Sequence, residues 1–225
     1  MSALLGLALA SVAIVACLRW LPVPATSFML RERYAADARN GVIRQHHDWV
    51  PWTAISRHAA VAVVAAEDQN FLLHDGFDFL AIEKAVTDAR SGRRLRGAST
   101  ISQQVAKNLF LWPGQSWLRK GLEAWFTLWI ELLWAKQRIL EVYLNSVEFG
   151  PGTWGIEAAA RHFFRKSALE LNRYDAALLA AVLPNPVRLH VDRPSPYVRA
   201  RQQWVLGQMR RIEKGTLPFG DDLSQ

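Results

Sequence analysis

Eight consecutive small or branched apolar residues, Ala59-Ala60-Val61-Ala62-Val63-Val64-Ala65-Ala66, interrupt an otherwise mixed sequence. A segment apolar on every side has no face to give to water, so the rest of the chain has to be built around it. The run predicts a buried helix with Ser56 as its N-cap. It ends in Glu67, followed at once by Asp68. A carboxylate there is held at the edge of the core, beside a like charge and near the negative end of a helix dipole. All three favour the protonated form and push Glu67 toward the range of a general base. On this segment alone the simpler reading is that Glu67 marks where the helix emerges into water.

A second constraint lies at the start of the chain. Residues 2–18 carry no charge, and Trp20 and Leu21 extend the apolar run past Arg19. About twenty apolar residues span a bilayer, so residues 1–21 are expected to form a transmembrane anchor. A cleaved signal peptide, or a lipoprotein signal ahead of Cys17, would need a basic leading segment that this sequence lacks. Pro22 and Pro24 open a polar linker over 22–45.

The remainder reads as helices. Phe79, Ile82, Val86 and Ala89 share one helix face, and Ile139, Val142 and Tyr143 share another. Asn172 caps a helix over 173–183 that stops before Pro184, and Ser195-Pro196 starts a last helix reaching about 212. Gly150, Gly152 and Gly155 mark a turn between helices. The expected fold class is all-α, with one domain over 46–212 and a polar tail over 213–225. The stretch 109–134 is unusual, because Leu118, Leu122, Trp125, Trp129 and Leu132 form one stripe while Phe126, Ile130, Leu133 and Trp134 fill much of the remaining circumference. Such a helix is either central in the core or in contact with lipid, and Arg119 and Lys120 beside it suit an interface.

The formal net charge of +7 points to an anionic partner, and ten Trp suit a membrane interface. A single Cys17 excludes an intramolecular disulfide. No metal-binding or phosphate-loop motif occurs, and His46-His47 is too little for a metal site.

Four polar clusters interrupt the apolar pattern: Glu67-Asp68, the stretch Gly97–Asn108 preceded by Arg90, Arg93, Arg94 and Arg96, the group Arg119-Lys120-Gly121-Leu122-Glu123, and the stretch Lys136–Asn145. Thr100 and Gln103 have the spacing of a capping box, so a helix starts there, and its N-terminus among arginines and hydroxyls suits a phosphate or pyrophosphate. Glu123 follows Arg119 by one helical turn, which fits a plain i,i+4 pair or a shared cleft.

Taken together these clusters resemble the peptidoglycan glycosyltransferases, and most closely their monofunctional membrane-anchored branch. The family's motifs E-D-x-x-F-x-x-H-x-G, G-x-S-T-I-x-Q-Q-x-x-K-N, R-K-x-x-E, K-x-x-I-L-E-x-Y-L-N and R-x-x-x-V-L occur in order, the last beginning at Arg201. The resemblance covers about residues 48 to 212. It implies a lysozyme-like domain with a small jaw over 109–134 that touches the bilayer, and inverting transfer between lipid II and a growing glycan chain. By residue-for-residue match, Glu67 is the general base and Glu123 assists where undecaprenyl diphosphate leaves. Ser99, Lys107, Arg119 and Lys120 match positions that hold the diphosphate, with Asp68, Gln103 and Gln104 nearby in the substrate cleft. His74 and Asn145 match structural positions. A divalent cation, Mg²⁺ or Mn²⁺, at the diphosphate is implied by the family rather than by any ligand set here. Implied partners are lipid II, the glycan chain, membrane lipid and other wall-synthesis or division proteins, with no nucleic acid. One departure is Gln115, where the branch usually carries Arg.

Two other functions compete: a hydrolase of the same fold, and an idle scaffold of the wall-building machinery, against which intact Glu67 and Glu123 argue. An attached penicillin-binding activity is not expected, since no S-x-x-K occurs. The resemblance places the domain outside the cytoplasmic membrane, on the periplasmic side. Yet no Lys or Arg precedes the apolar run, while Arg19, Arg31 and Arg33 follow it. That arrangement opposes the positive-inside rule and suggests a natural start farther upstream.

Overall fold

The computed structural model describes residues 2–37, 45–91, 99–114 and 116–214. Gln115, Arg93, Arg94, Arg96 and the tail beyond 214 lie outside the described residues, as does the side chain of Arg90.

The described residues are mostly helical. In chain order they give α1 (Ser2–Leu18), α2 (Ser27–Asp37), β1 (His46–His47), α3 (Arg57–Glu67), α4 (Phe79–Arg90), α5 (Ile101–Phe110), α6 (Trp117–Leu133) and α7 (Lys136–Ser146). Then follow β2 (Glu148–Gly150), β3 (Thr153–Trp154), α8 (Ile156–Phe164), α9 (Arg173–Val182) and α10 (Pro196–Lys214). The all-α expectation is corrected by a small three-stranded sheet of order β1-β3-β2, in which β1 runs parallel and β2 antiparallel to β3. Of the glycines read as a turn between helices, Gly150 lies in β2, Gly152 lies in the turn between β2 and β3, and Gly155 precedes α8. Gly155 has φ +83°, and a Cβ there would meet the Asn145 carbonyl oxygen at 2.9 Å, so only glycine fits.

The apolar run is the central helix, as expected. Ala59 through Ala65 of α3 are all buried. Ser56 caps α3 by accepting the His58 N–H at 3.2 Å. Alanines on α3 meet Ala176, Ala177, Ala180 and Ala181 of α9, which are also buried, and small side chains let two helix axes approach closely. Helix α10 closes over the α3–α9 pair, and α5 packs between α6 and α7 on the other side. Asn172 caps α9 by accepting N–H groups from Tyr174 and Asp175 at 2.8 and 3.0 Å. Ile139, Val142 and Tyr143 are fully buried on α7. The face expected on α4 differs, because Phe79 stands exposed and the side chains of Val86 and Ala89 lie outside the described residues.

Helix α1 ends at Leu18, short of the expected 1–21 span, and no helix among the described residues is long and apolar enough to cross a membrane. Its 17 residues rise about 25 Å, against a hydrocarbon core of about 30 Å. Instead of standing apart, α1 lies along α6. Trp125 Nε1 donates to Ser11 Oγ at 3.1 Å, and Trp134 Nε1 donates to the Val15 carbonyl at 2.8 Å. Arg138 of α7 donates to the Leu18 carbonyl at 2.9 Å and to that of Leu21. Helix α1 also exposes Leu4, Leu5, Leu7, Leu9 and Ile14.

The apolar circumference of α6 is divided accordingly. Glu123, Thr127 and Ile130 point inward, Trp125 and Trp134 meet α1, and Trp117 remains 94% exposed. Phe110 stacks on Phe126 with ring centres 4.3 Å apart, and both half-buried rings pack against the core.

Candidate active site

Three helix ends converge around one cleft. The C-terminus of α3 presents Glu67, α5 presents Gln104 and Lys107, and the first turns of α6 present Arg119, Lys120 and Glu123. Glu67 Oε2 accepts a hydrogen bond from Gln104 Nε2 at 3.1 Å, and its Oε1 lies 3.6 Å from an Arg201 guanidinium nitrogen. Burial raises the Glu67 pKa above the ordinary carboxylate value and outweighs Gln104, Arg201 and Lys107, which favour the anion; Asp68 adds to the rise. The carboxylate is therefore oriented, weakly paired and more basic than a surface glutamate.

Glu123 is held differently. Its side chain is only 4% exposed, one oxygen lies 3.0 Å from Arg119, and the other bonds Lys120. The i,i+4 spacing is thus a real pair, and Lys120 joins it from position i+1. Lys107 joins the two halves of the cleft. Burial holds its pKa below the usual ammonium range; Glu123 and Glu67 favour its charge, while Arg119 and Lys120 oppose it. An ammonium within the fields of both carboxylates and two further cations suits an incoming anion. Buried Arg119 Nε and Arg201 Nε find no hydrogen-bond partner among the described residues. Unpaired buried donors are costly and suit a ligand's oxygen.

The remaining expected residues are placed as follows. Asp68 is buried, accepts the Ile101 N–H at 2.9 Å and lies 2.9 Å from His74 Nε2. Gly76 N–H donates to His74 Nδ1 at 3.2 Å, so neutral His74 carries its proton on Nε2 and donates it to Asp68. This clasp fastens the loop after α3 to the start of α5, and leaves Asp68 facing protein rather than open cleft. Gln103 is buried as the capping-box partner of Thr100, accepting its N–H at 3.0 Å. Ser99 is exposed ahead of α5. Asn145 is fully buried, accepting the Val50 N–H and donating to the Val50 carbonyl, each at 2.9 Å.

Three residues near the cleft gain roles that spacing did not give them. Arg201 reaches Glu67 from α10. Tyr143, fully buried, donates its hydroxyl to Gln104 Oε1 at 3.4 Å, behind the Gln104–Glu67 bond. Glu131 accepts from Ser102 and lies 2.8 Å from Lys136, whose ammonium also donates to the His74 carbonyl at 2.5 Å. The motif that begins at Arg201 was a signal for the first and the Lys136–Asn145 motif contains the second, though neither gave its contact; nothing local marks Glu131.

No group of three or more His, Cys, Asp or Glu side chains among the described residues could hold a metal ion, and Glu123 is already held by two cations. The side chains alone do not form a site for the divalent cation that the resemblance implied.

Residues 36–210 match the family model described as Transglycosylase. The chain is 53% identical over 203 residues to a Pseudomonas aeruginosa protein named "Biosynthetic peptidoglycan transglycosylase", covering 90% of this chain and 88% of that one. It is 52% identical over 214 residues to an Aeromonas hydrophila protein of the same name, covering 95% and 90%. A Pseudomonas entomophila protein, also so named, is 51% identical over 210 residues, covering 93% and 89%.

Proposed function

The chain belongs to the transglycosylase family, and from that membership we propose that it is a monofunctional peptidoglycan glycosyltransferase of the bacterial envelope. Its proposed reaction joins lipid II units into linear glycan strands with release of undecaprenyl diphosphate. The observation that carries this reading is the pairing of a buried, basic Glu67 with a cation cluster across Lys107. Glu67 takes the proton from the acceptor's 4-hydroxyl as that oxygen attacks the donor's anomeric carbon. The bond from that carbon to the diphosphate oxygen breaks in the same displacement, so configuration inverts and no covalent enzyme intermediate forms. Gln104 and Arg201 aim the base; Lys107, Arg119 and Lys120 take up the charge of the leaving diphosphate. Glu123 holds Arg119 and Lys120 at that place.

The reading extends to a lysozyme-like catalytic domain over 46–212, with 109–134 as its membrane-facing jaw. The exposed Trp117 and Leu118 support membrane contact by α6, and the exposed leucines of α1 support its insertion in lipid. The domain then lies on the periplasmic side of the inner membrane. The deciding experiment is purified protein with labelled lipid II, separating polymer from monomer and from cleavage products. Long glycan strands support the proposal, and monomer or cleavage products alone refute it.

A further inference from the structure

We propose that Phe28 is a positioning residue of this cleft: its ring holds the Lys107 ammonium, and α2 thereby forms part of the site that grips the diphosphate. The proposal rests on the reading of Lys107 given above. Phe28 lies eight residues ahead of the 36–210 stretch that the family model matches. Ser27 Oγ donates to the Asn108 carbonyl at 2.9 Å and shares that proton with the Leu111 carbonyl at 2.5 Å. Those carbonyls end α5, the helix that carries Lys107, and the last carbonyls of a helix need partners from outside it. On the next residue, the Phe28 ring centre lies 5.7 Å from Lys107 Nζ, within reach of a cation–π attraction.

Helix α2 is fastened at its start and at its middle, on either side of Phe28. Buried Thr26 accepts the Met29 N–H at 3.2 Å, and Met29 itself is buried. Four residues after Phe28, Glu32 accepts the Trp154 indole N–H at 2.9 Å and the Gln45 amide at 3.2 Å. An aromatic face attracts an ammonium and does little for a neutral amine. Burial and the neighbouring Arg119 and Lys120 all work against the Lys107 charge. The Phe28 ring acts with Glu123 and Glu67 to keep it.

The test uses the full chain with Phe28→Leu, which keeps apolar bulk without the π face, and Phe28→Tyr, which keeps the face. Lys107 ionisation is followed by NMR after ¹³C-methylation of the lysines, with Lys107→Ala identifying its signal. Phe28→Leu is expected to make Lys107 at least threefold more acidic and to raise KM for lipid II threefold or more, with kcat within twofold. Phe28→Tyr is expected to match the wild type in both. Equal Lys107 ionisation in the leucine and tyrosine variants overturns the proposal, whatever the activities. A changed ionisation with unchanged KM overturns the positioning role. Failure of the wild type to polymerise lipid II refutes the functional reading instead, and the NMR comparison still decides the Phe28 contact.

Discussion

Glu67→Gln separates catalysis from stability, because the structure assigns the two effects opposite signs. Gln is isosteric, can still meet Gln104, and cannot take a proton. Loss of a positioned general base costs roughly 10²–10⁴-fold, or about 2.7–5.4 kcal/mol of transition-state stabilisation. Stability should move the other way. The folded-state pKa of Glu67 is raised, burial outweighing the attraction of Arg201 and Lys107. A raised pKa means that its contribution to stability is full below the unfolded value of 4.5 and is lost as pH rises through the folded value. At neutral pH, above the unfolded value, burying Glu67 is therefore a net cost to the fold, even with Arg201 beside it, and neutral Gln removes that cost. Lipid II polymerisation and thermal melting are measured on the same preparation at neutral pH. The expected result is a loss of at least a hundredfold in rate with a Tm at or above that of the wild type. The wild-type rate should also fall on acidification at a pH above the ordinary glutamate value. More than a tenth of the wild-type rate would refute the base assignment, and a clear drop in Tm would refute the electrostatic argument.

Glu123→Gln should lower turnover at least tenfold and also lower Tm, since it leaves Arg119 and Lys120 without their buried partner. Glu141→Gln, which leaves Arg138 without its 3.0 Å partner, should lower Tm by a few degrees for a loss of about 1 kcal/mol and leave turnover within twofold; an equally small change in turnover for both variants would make Glu123 structural. Trp117→Ser should weaken binding to anionic vesicles about tenfold without altering the melt, since its side chain packs against little protein; a lower Tm would place it in the fold. Burial and neighbouring Glu32 raise Glu148 to about 7 from 4.5, so its stability contribution is full below about 4.5 and lost as pH rises through about 7. Discounted for partial exposure, Glu148→Gln should raise Tm by about 2–4 °C at pH 8 and leave it unchanged at pH 4.5; parallel pH profiles for the two proteins would count against the raised Glu148 pKa.

What the sequence revealed follows the range over which each interaction acts. The cap at Ser56, the box of Thr100 with Gln103 and the cap at Asn172 involve residues two or three positions apart, and all three are present. The buried run of α3 was legible because no periodicity had to be resolved. Strands of two or three residues offer no alternation to detect, so the small sheet was read as a turn. Arg201 meets Glu67 only because α10 folds across α3. Gln103 and Gln104 look equivalent in sequence, yet the roughly 100° between neighbouring helix residues sends the first into its own cap and the second to Glu67. The doubt over α6 had a physical basis, since one helix serves the core, α1 and the exterior at once.

The three hydrogen-bonded attachments of α1, at Ser11, Val15 and Leu18, fall four and three residues apart along one side of the helix. They span about two turns, some 10 Å. Such a strip fixes the roll of α1 about its own axis as well as its tilt against α6. In a bilayer the short stretch between α1 and α2 is then no tether of adjustable length. With α1 in lipid as proposed, the height of Glu67 above the membrane becomes a built-in dimension, set by two indoles and a guanidinium, and the cleft faces the membrane surface at one fixed standoff.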